Sequence, residues 1–282
     1  MRHGQFVDMH THSTCSDGAL SPAALVRRVH GKGLVGFALT DHDTLRGFHE
    51  AAAAGAALGI EVIPGVELSV RITRRIVHLL GYFFDPDHAG LATFMQEFET
   101  LRIERAAAIL DRLRRLGVVL TLEEVFDIAQ GASVGRPHIA RAMARNELVS
   151  SPEEAFTRYL KDAGPAYVPI DCPPARDALE ALHAAGGIGV LAHPGHWTSD
   201  HEIRSLKSDG LDGLETIHPS HDTSLIDYYR RLACTLGLVE TGGSDFHGYR
   251  SQDDERLGRL GVTGDELARA RAACAPFVPA VC

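Results

Sequence analysis

An α/β fold with a mostly parallel sheet is predicted by three observations. Apolar runs of strand length alternate with segments of helical period. Histidine, aspartate and glutamate recur where those runs end rather than at any fixed spacing. A stretch of about 75 residues breaks the alternation and reads as helix only. At 282 residues and 45% hydrophobic content the chain can bury one large core, and a single α/β barrel of this length is ordinary.

Phe6-Val7-Asp8-Met9 is a short apolar run that ends in His10-Thr11-His12. Residues two apart on an extended chain share a face, so both imidazoles aim at one point, as metal ligands do. Cys15-Ser16-Asp17-Gly18 is a turn, and Ser21-Pro22 opens a helix that Gly31 and Gly33 stop. Leu34 to Leu39 is a second buried strand running into Thr40-Asp41-His42-Asp43, and an alanine-rich helix follows to Gly59. Ile60 to Val66 is a third strand ending at Glu67, and Ile76 to Phe84 a fourth that contains His78.

From about His88 to Ala163 the pattern is helical. Leu101, Ile109, Leu113 and Leu116 fall on one period, Thr121-Leu122-Glu123-Glu124 has the form of a capping box, and Arg136-Pro137 and Ser151-Pro152 start two further helices. These residues, 88–163, are expected to form an inserted subdomain, a lid or one wall of a substrate pocket, with 1–87 and 164–282 forming the barrel. Alternation then resumes, with strands Ile188 to Ala192, Leu211 to Ile217 and Leu238 to Thr241 ending in His193-Pro194-Gly195-His196, His218-Pro219 and Ser244-Asp245-Phe246-His247. A last helix is expected from Asp265, followed by a proline-bearing end. His30, His49, His88, His183 and His201 are scattered and read as ordinary polar residues.

The formal charge of −9 and pI near 5.9 provide no general field for long nucleic acid or an anionic membrane. No apolar run reaches membrane-spanning length, and Met1-Arg2-His3-Gly4 leads into a strand rather than a signal core, so a cytoplasmic protein is expected. Five cysteines without paired spacing suggest neither a disulfide framework nor a zinc finger.

In a parallel barrel the C-terminal strand ends converge on one face, which would gather these histidines and acids. Their motifs, His10-Thr11-His12, Asp17-Gly18, Thr40-Asp41-His42-Asp43, Pro64-Gly65-Val66-Glu67, His78, Ala192-His193-Pro194 and Gly243-Ser244-Asp245-Phe246-His247, resemble in order those of the PHP (polymerase and histidinol phosphatase) superfamily of metal-dependent phosphoesterases. The resemblance runs from residue 6 to about 248. It implies a distorted (β/α)7 barrel with two to three divalent metals, Mn²⁺ first with Fe²⁺ or Zn²⁺ as alternatives. The first metal would take His10, His12, Glu67 and Asp245; Glu67 would bridge to a second held by His78 and His193; Asp17, His42 and His247 would hold a third. A hydroxide between metals would attack a phosphate ester in line, leaving Ser13 and Cys15 no nucleophilic part. Asp43 is a candidate catalytic proton carrier, or else a residue that orients His42 or its turn.

The helical insertion, Gly135-Arg136-Pro137-His138, and Tyr159-Leu160 followed by Pro165-Ala166-Tyr167-Val168-Pro169 resemble one branch of that superfamily. Its members act on nucleoside 3′,5′-bisphosphates such as pAp and on short 5′-phosphorylated RNA. The resemblance implies a 5′-phosphate pocket with Arg136 as leading contact, His196 as a second and His138 as a further candidate; His218 and His221 also fall near the cleft. It implies no long duplex DNA, no membrane and no obligate protein partner. Two alternatives stand beside it: a histidinol-phosphate phosphatase, which needs no nucleotide-sized pocket, and a metal-binding regulatory module without turnover.

Overall fold

The computed structural model describes residues 6–73 and 75–274. Seven strands form one sheet in chain order and bend it into a nearly closed barrel. β1 (Val7–Thr11), β2 (Gly36–Leu39) and β3 (Glu61–Ile72) are parallel. β4 (Arg75–Tyr82) is antiparallel to β3 and to β5 (Ile188–Leu191), and the parallel order returns through β6 (Gly213–Ile217) and β7 (Val239–Gly242). The chain beyond β7 comes back to β1, where His12 N donates to Phe246 O at 2.9 Å.

The sheet is mostly parallel as expected, and β4 is its one reversed strand. Only a two-residue turn separates β3 from β4, too short for a parallel crossover, so the two pair as a hairpin from Gly65↔Tyr82 to Ile72↔Arg75. β3 therefore runs past Glu67 instead of ending there. His78, near the start of the reversed strand, comes to lie beside Ser69, at the end of the barrel where its parallel neighbours finish.

Helices α1 (Pro22–Gly31) and α2 (Phe48–Leu58) cover β2, and α1 starts as its sequence indicates, with Ser21 Oγ accepting from Ala24 N behind Pro22. α7 (Ala175–Ala184), α8 (Asp200–Ser208) and α9 (Thr223–Leu236) pack on β3 to β6. α10 (Ser251–Arg256) is a short helix that the sequence reading does not anticipate, and α11 (Gly264–Ala272) is the expected last helix. The proline-bearing end after it and the Met1–Gly4 leader lie outside the described residues.

The insertion comprises α3 (Ala89–Arg115), α4 (Leu122–Ala129), α5 (Arg136–Arg145) and α6 (Pro152–Ala155), which continues as a wider helical turn, Phe156–Leu160. α3 is shared between two cores. Leu91, Met95 and Phe98 join Val70, Leu79 and Leu179 of the barrel, whereas Ile109 and Leu113 join Val125, Ile139, Met143 and Leu160. The capping box of α4 is present, Thr121 N donating to Glu124 Oε2 at 2.7 Å and Glu124 N to Thr121 Oγ1 at 3.3 Å.

Barrel closure depends on a close approach. A Cβ on Gly243 would stand 2.4 Å from His10 N and 2.5 Å from His10 Cβ, so β1 could not keep its place. Gly243→Ala should therefore cost about 1–3 kcal/mol of stability. Gly264→Ala, whose added Cβ meets nothing within 4 Å, should be neutral or stabilising by up to about 1 kcal/mol. Urea denaturation compares the two directly, and equal midpoints would show that the closure tolerates bulk.

Candidate metal centre

Eight residues from several parts of the barrel rim gather with Glu67. The period of β1 puts His10 and His12 on one side of the strand, and the Nε2 atoms of both reach Glu67 Oε2, at 3.1 and 3.3 Å. Asp245 Oδ1 completes this group at 3.5 Å from His10 Nε2 and 3.2 Å from His12 Nε2. The other oxygen of Glu67 faces away from it. Oε1 lies 2.7 Å from His78 Nδ1 and 2.9 Å from His193 Nε2, and those two nitrogens are 3.4 Å apart. His42 Nδ1 is 3.3 Å from Oε2, and donor atoms of His12, Asp17, His42 and His247 all lie within 4.8 Å of one another. The expected ligands are thus brought together in the three expected groups, with His12 also facing the third.

The arrangement fits divalent metal. His12 Nδ1 and Nε2 and His42 Nδ1 are buried without a hydrogen-bond partner, although carboxylate oxygens stand 3.2–3.3 Å from two of them. Lone pairs that converge without hydrogen-bond alignment point at a common centre rather than at each other. Burial alone would raise the carboxyls of Glu67, Asp17 and Asp245, but the facing imidazoles outweigh it and hold all three well below the usual range. Burial drives the His42 imidazolium down to about 3, leaving a neutral ring with a free lone pair. A mixed imidazole and carboxylate set of this kind suits first-row transition metals.

Backbone and neighbours hold these candidate ligands in place. His193 and Asp245 have φ of 27° and 53°, left-handed values that non-glycine residues rarely adopt. A Cβ on Gly18 would stand 2.4 Å from His12 O, which explains the glycine after Asp17. Asp41 accepts from Ser13 N, Ser13 Oγ and Ser16 Oγ at 2.6–2.7 Å and so fastens the His12–Asp17 loop. Glu215, in the middle of β6, accepts from His10 Nδ1 at 2.8 Å and from His193 N at 2.7 Å. It fixes the His10 tautomer with Nε2 toward the cluster. Sequence reasoning missed Glu215; its signal was a carboxylate inside a strand otherwise buried on both faces.

Asp43 requires a correction to the proton-carrier expectation. Its carboxylate accepts from Ser69 N at 2.6 Å, Ser69 Oγ at 2.9 Å and Arg102 Nε at 2.6 Å, with Arg102 Nη2 at 2.5 Å from Oδ2. Both oxygens are engaged, and the buried residue orients Arg102 and the turn after His42. His138 is also structural: its Nδ1 accepts from Gly135 N at the start of α5, and burial holds the ring neutral, down to about 4. His196 is exposed and lines neither of the clefts that meet at the cluster, so it too is corrected as a substrate contact. His221 bonds Gly195 N and Thr216 O, while His218 Nε2 lies 3.4 Å from Asp245. Cys15 is half-buried, and burial followed by the Asp41 charge pushes its thiol up to about 11, in keeping with no nucleophilic part.

One cleft, of about 840 Å³, opens from Asp17, His42 and His78 toward the insertion and is lined by Arg71, Arg75, Arg102, Arg105 and Arg136. Arg136 donates to Leu160 O and Asp162 and lies 5.4 Å over the Tyr167 ring, which Arg105 approaches at 5.9 Å. Arg105 donates to Val168 O and has no acidic partner among the described residues. Burial, then the charges of Arg136 and Arg102, lower its guanidinium to about 10. Of this group only Arg136 was singled out from sequence. Arg102 sits on the buried stripe of α3 with Met95, Phe98 and Ile109, and a charge in such a stripe was the available signal.

Comparison with known proteins agrees with this picture. Residues 8–160 match the family described as PHP domain. A 5′-3′ exoribonuclease of Haemophilus influenzae is 37% identical over 246 residues, 85% of this chain and 89% of that protein. A 3′,5′-nucleoside bisphosphate phosphatase of Chromobacterium violaceum is 33% identical over 254 residues, covering 86% and 87%. A solved structure from Bifidobacterium adolescentis, assigned as a metal-dependent phosphoesterase, superposes with a TM-score of 0.87 at 28% identity and covers 97% of this chain and 98% of its own.

Two outcomes are expected. Glu215→Gln should stay folded yet bind Mn²⁺ about 10–100-fold more weakly by calorimetric titration; unchanged affinity would remove its orienting role. Asp43→Ala should cost about 3–5 kcal/mol in urea denaturation because Arg102 is left buried and unpaired. A variant of parental stability that loses turnover would instead restore Asp43 as the proton carrier.

Proposed function

The chain belongs to the PHP domain family and is a metal-dependent phosphoric ester hydrolase, and from that premise we propose that it removes the 3′-phosphate of nucleoside 3′,5′-bisphosphates such as pAp and trims short 5′-phosphorylated RNA. The observation that carries this reading is the arginine-lined cleft opening on the histidine cluster. A 5′-phosphate there would meet the guanidiniums of Arg105 and Arg136 and the N-terminus of α5 at Gly135. Arg102, oriented by Asp43, adds charge without leaving its buried pair. Anchoring one phosphate places the next phosphorus of the same nucleotide over the cluster, so binding energy is spent on position.

His10, His12, Glu67 and Asp245 would hold one ion, Glu67, His78 and His193 a second, and Asp17, His42 and His247 a third. Two to three ions, Mn²⁺ first among them, would supply an activated water and absorb charge on the phosphoryl oxygens. The protein's own part is to present ionised carboxylates and a neutral His42 at neutral pH, to keep His10 oriented through Glu215, and to hold the ester in line. A histidinol-phosphate phosphatase would leave a nucleotide-sized cleft and its cations unused. We place the protein in the cytoplasm; the described cysteines are all free, and no described helix is long and apolar enough to cross a membrane.

Mn²⁺-loaded protein should release phosphate from pAp, and chelator should abolish the release. Without the 5′-phosphate, on a nucleoside 3′-monophosphate, and in Arg136→Ala or Arg105→Ala on pAp, kcat/KM should fall about 10–100-fold, the worth of a charge-assisted hydrogen bond. Turnover of histidinol phosphate with none of pAp would overturn the nucleotide reading.

A further inference from the structure

A second cleft, of about 910 Å³, leaves the same cluster in another direction. Its inner end is lined by Asp17, Asp245, His247 and His218, and it shares Asp17, Pro137 and Phe156 with the arginine-lined cleft. The two are arms of one passage, open on both sides of the cluster, between the insertion and the loop after β7. Each has a volume typical of a whole small-molecule pocket. A phosphate monoester ends at the cluster and needs only one arm. A phosphodiester continues past it.

The chemistry of the second arm suits that continuation. Tyr249 is 54% exposed, and its ring is covered on one face by the Arg141 guanidinium at 5.0 Å. Arg141 Nη2 is buried without an acceptor. Arg250 and Arg256 line the arm further out and have no ion-pair partner among the described residues. Of the acids here, Asp17 and Asp245 face the cluster, and Asp253 accepts from the backbone N of Tyr249 and Arg250; Glu153 lies on the opposite wall. An aromatic platform beside unneutralised guanidiniums is how single strands are held without regard to sequence.

We infer that this arm is a separate subsite for the nucleotides 3′ of the scissile bond, with Tyr249 stacking a base and Arg141, Arg250 and Arg256 contacting the strand's phosphates. This rests on the proposed 5′-phosphate anchor in the other arm. Hydrolysis across the passage forms a bond from water oxygen to phosphorus and breaks the bond to the 3′ oxygen of the anchored nucleotide, the same bond as in a bisphosphate. That oxygen takes up a proton, and the remaining strand, now carrying the 5′-phosphate, departs through the second arm.

The test measures kcat/KM of the Mn²⁺-loaded protein on a 5′-phosphorylated tetranucleotide and on pAp, and takes their ratio in each variant. In Tyr249→Ala and in Arg250→Ala/Arg256→Ala the ratio should fall about tenfold or more. Partial unfolding would lower both rates together and leave the ratio alone, so a ratio unchanged from the parent overturns the inference. In parallel, a tetranucleotide with 4-thiouridine at its third position is photocrosslinked to the protein. Crosslinks within residues 249–256 or at Arg141 support the arm even if pAp is not turned over, which would fault the anchor reading alone. Crosslinks confined to α3 and the 167–171 segment overturn it.

Discussion

The carboxylate of Glu67 is the constraint on which the centre depends. One buried side chain faces five imidazoles, three through Oε2 and two through Oε1. Burying a carboxylate is costly unless positive charge meets it. Here the neighbouring strands supply rings from four directions, and the ring nitrogens left without partners mark where cations complete the balance.

A second buried charge pair ties the insertion to that centre. Arg102 of α3 reaches Asp43, which bonds Ser69 of β3 and follows His42 directly in the chain. Because α3 belongs to both cores, the arginines on its middle turns are placed relative to the metal ligands by packed side chains rather than by a loop. Rigid placement of this kind is what a phosphate anchor needs if the distance to the reacting phosphorus is to be reproducible. α3 thus joins the core of the helical segment to that of the barrel.

The acidic net charge and a preference for phosphorylated substrates are compatible because the cations are concentrated in two arms. Arg71, Arg75, Arg102, Arg105 and Arg136 line one, and Arg141, Arg250 and Arg256 the other, while much of the acid sits on exposed helix faces. A local field of this sort can coexist with a net charge of −9.

The amino-acid sequence by itself determined the candidate ligands and, α10 apart, most of the order of elements. Histidines and acids recurring at the ends of apolar runs, Ser21-Pro22 and Thr121-Glu124 as helix starts, and a helix-only stretch from residue 88 are local patterns, and local patterns survive in one dimension. Only the tertiary structure decided the rest. The reversal of β4 depends on a hairpin too short for a crossover, and it is what carries His78 to the rim. Glu215, Arg102 and Arg105 carry no motif; each is meaningful only through a partner or a neighbouring charge far along the chain, His10 for the first, Asp43 for the second and Arg136 for the third. Asp43 shows the converse. Its place beside a ligand suggested chemistry, but which way a carboxylate points is set by what packs against it, and here that is a guanidinium 59 residues away.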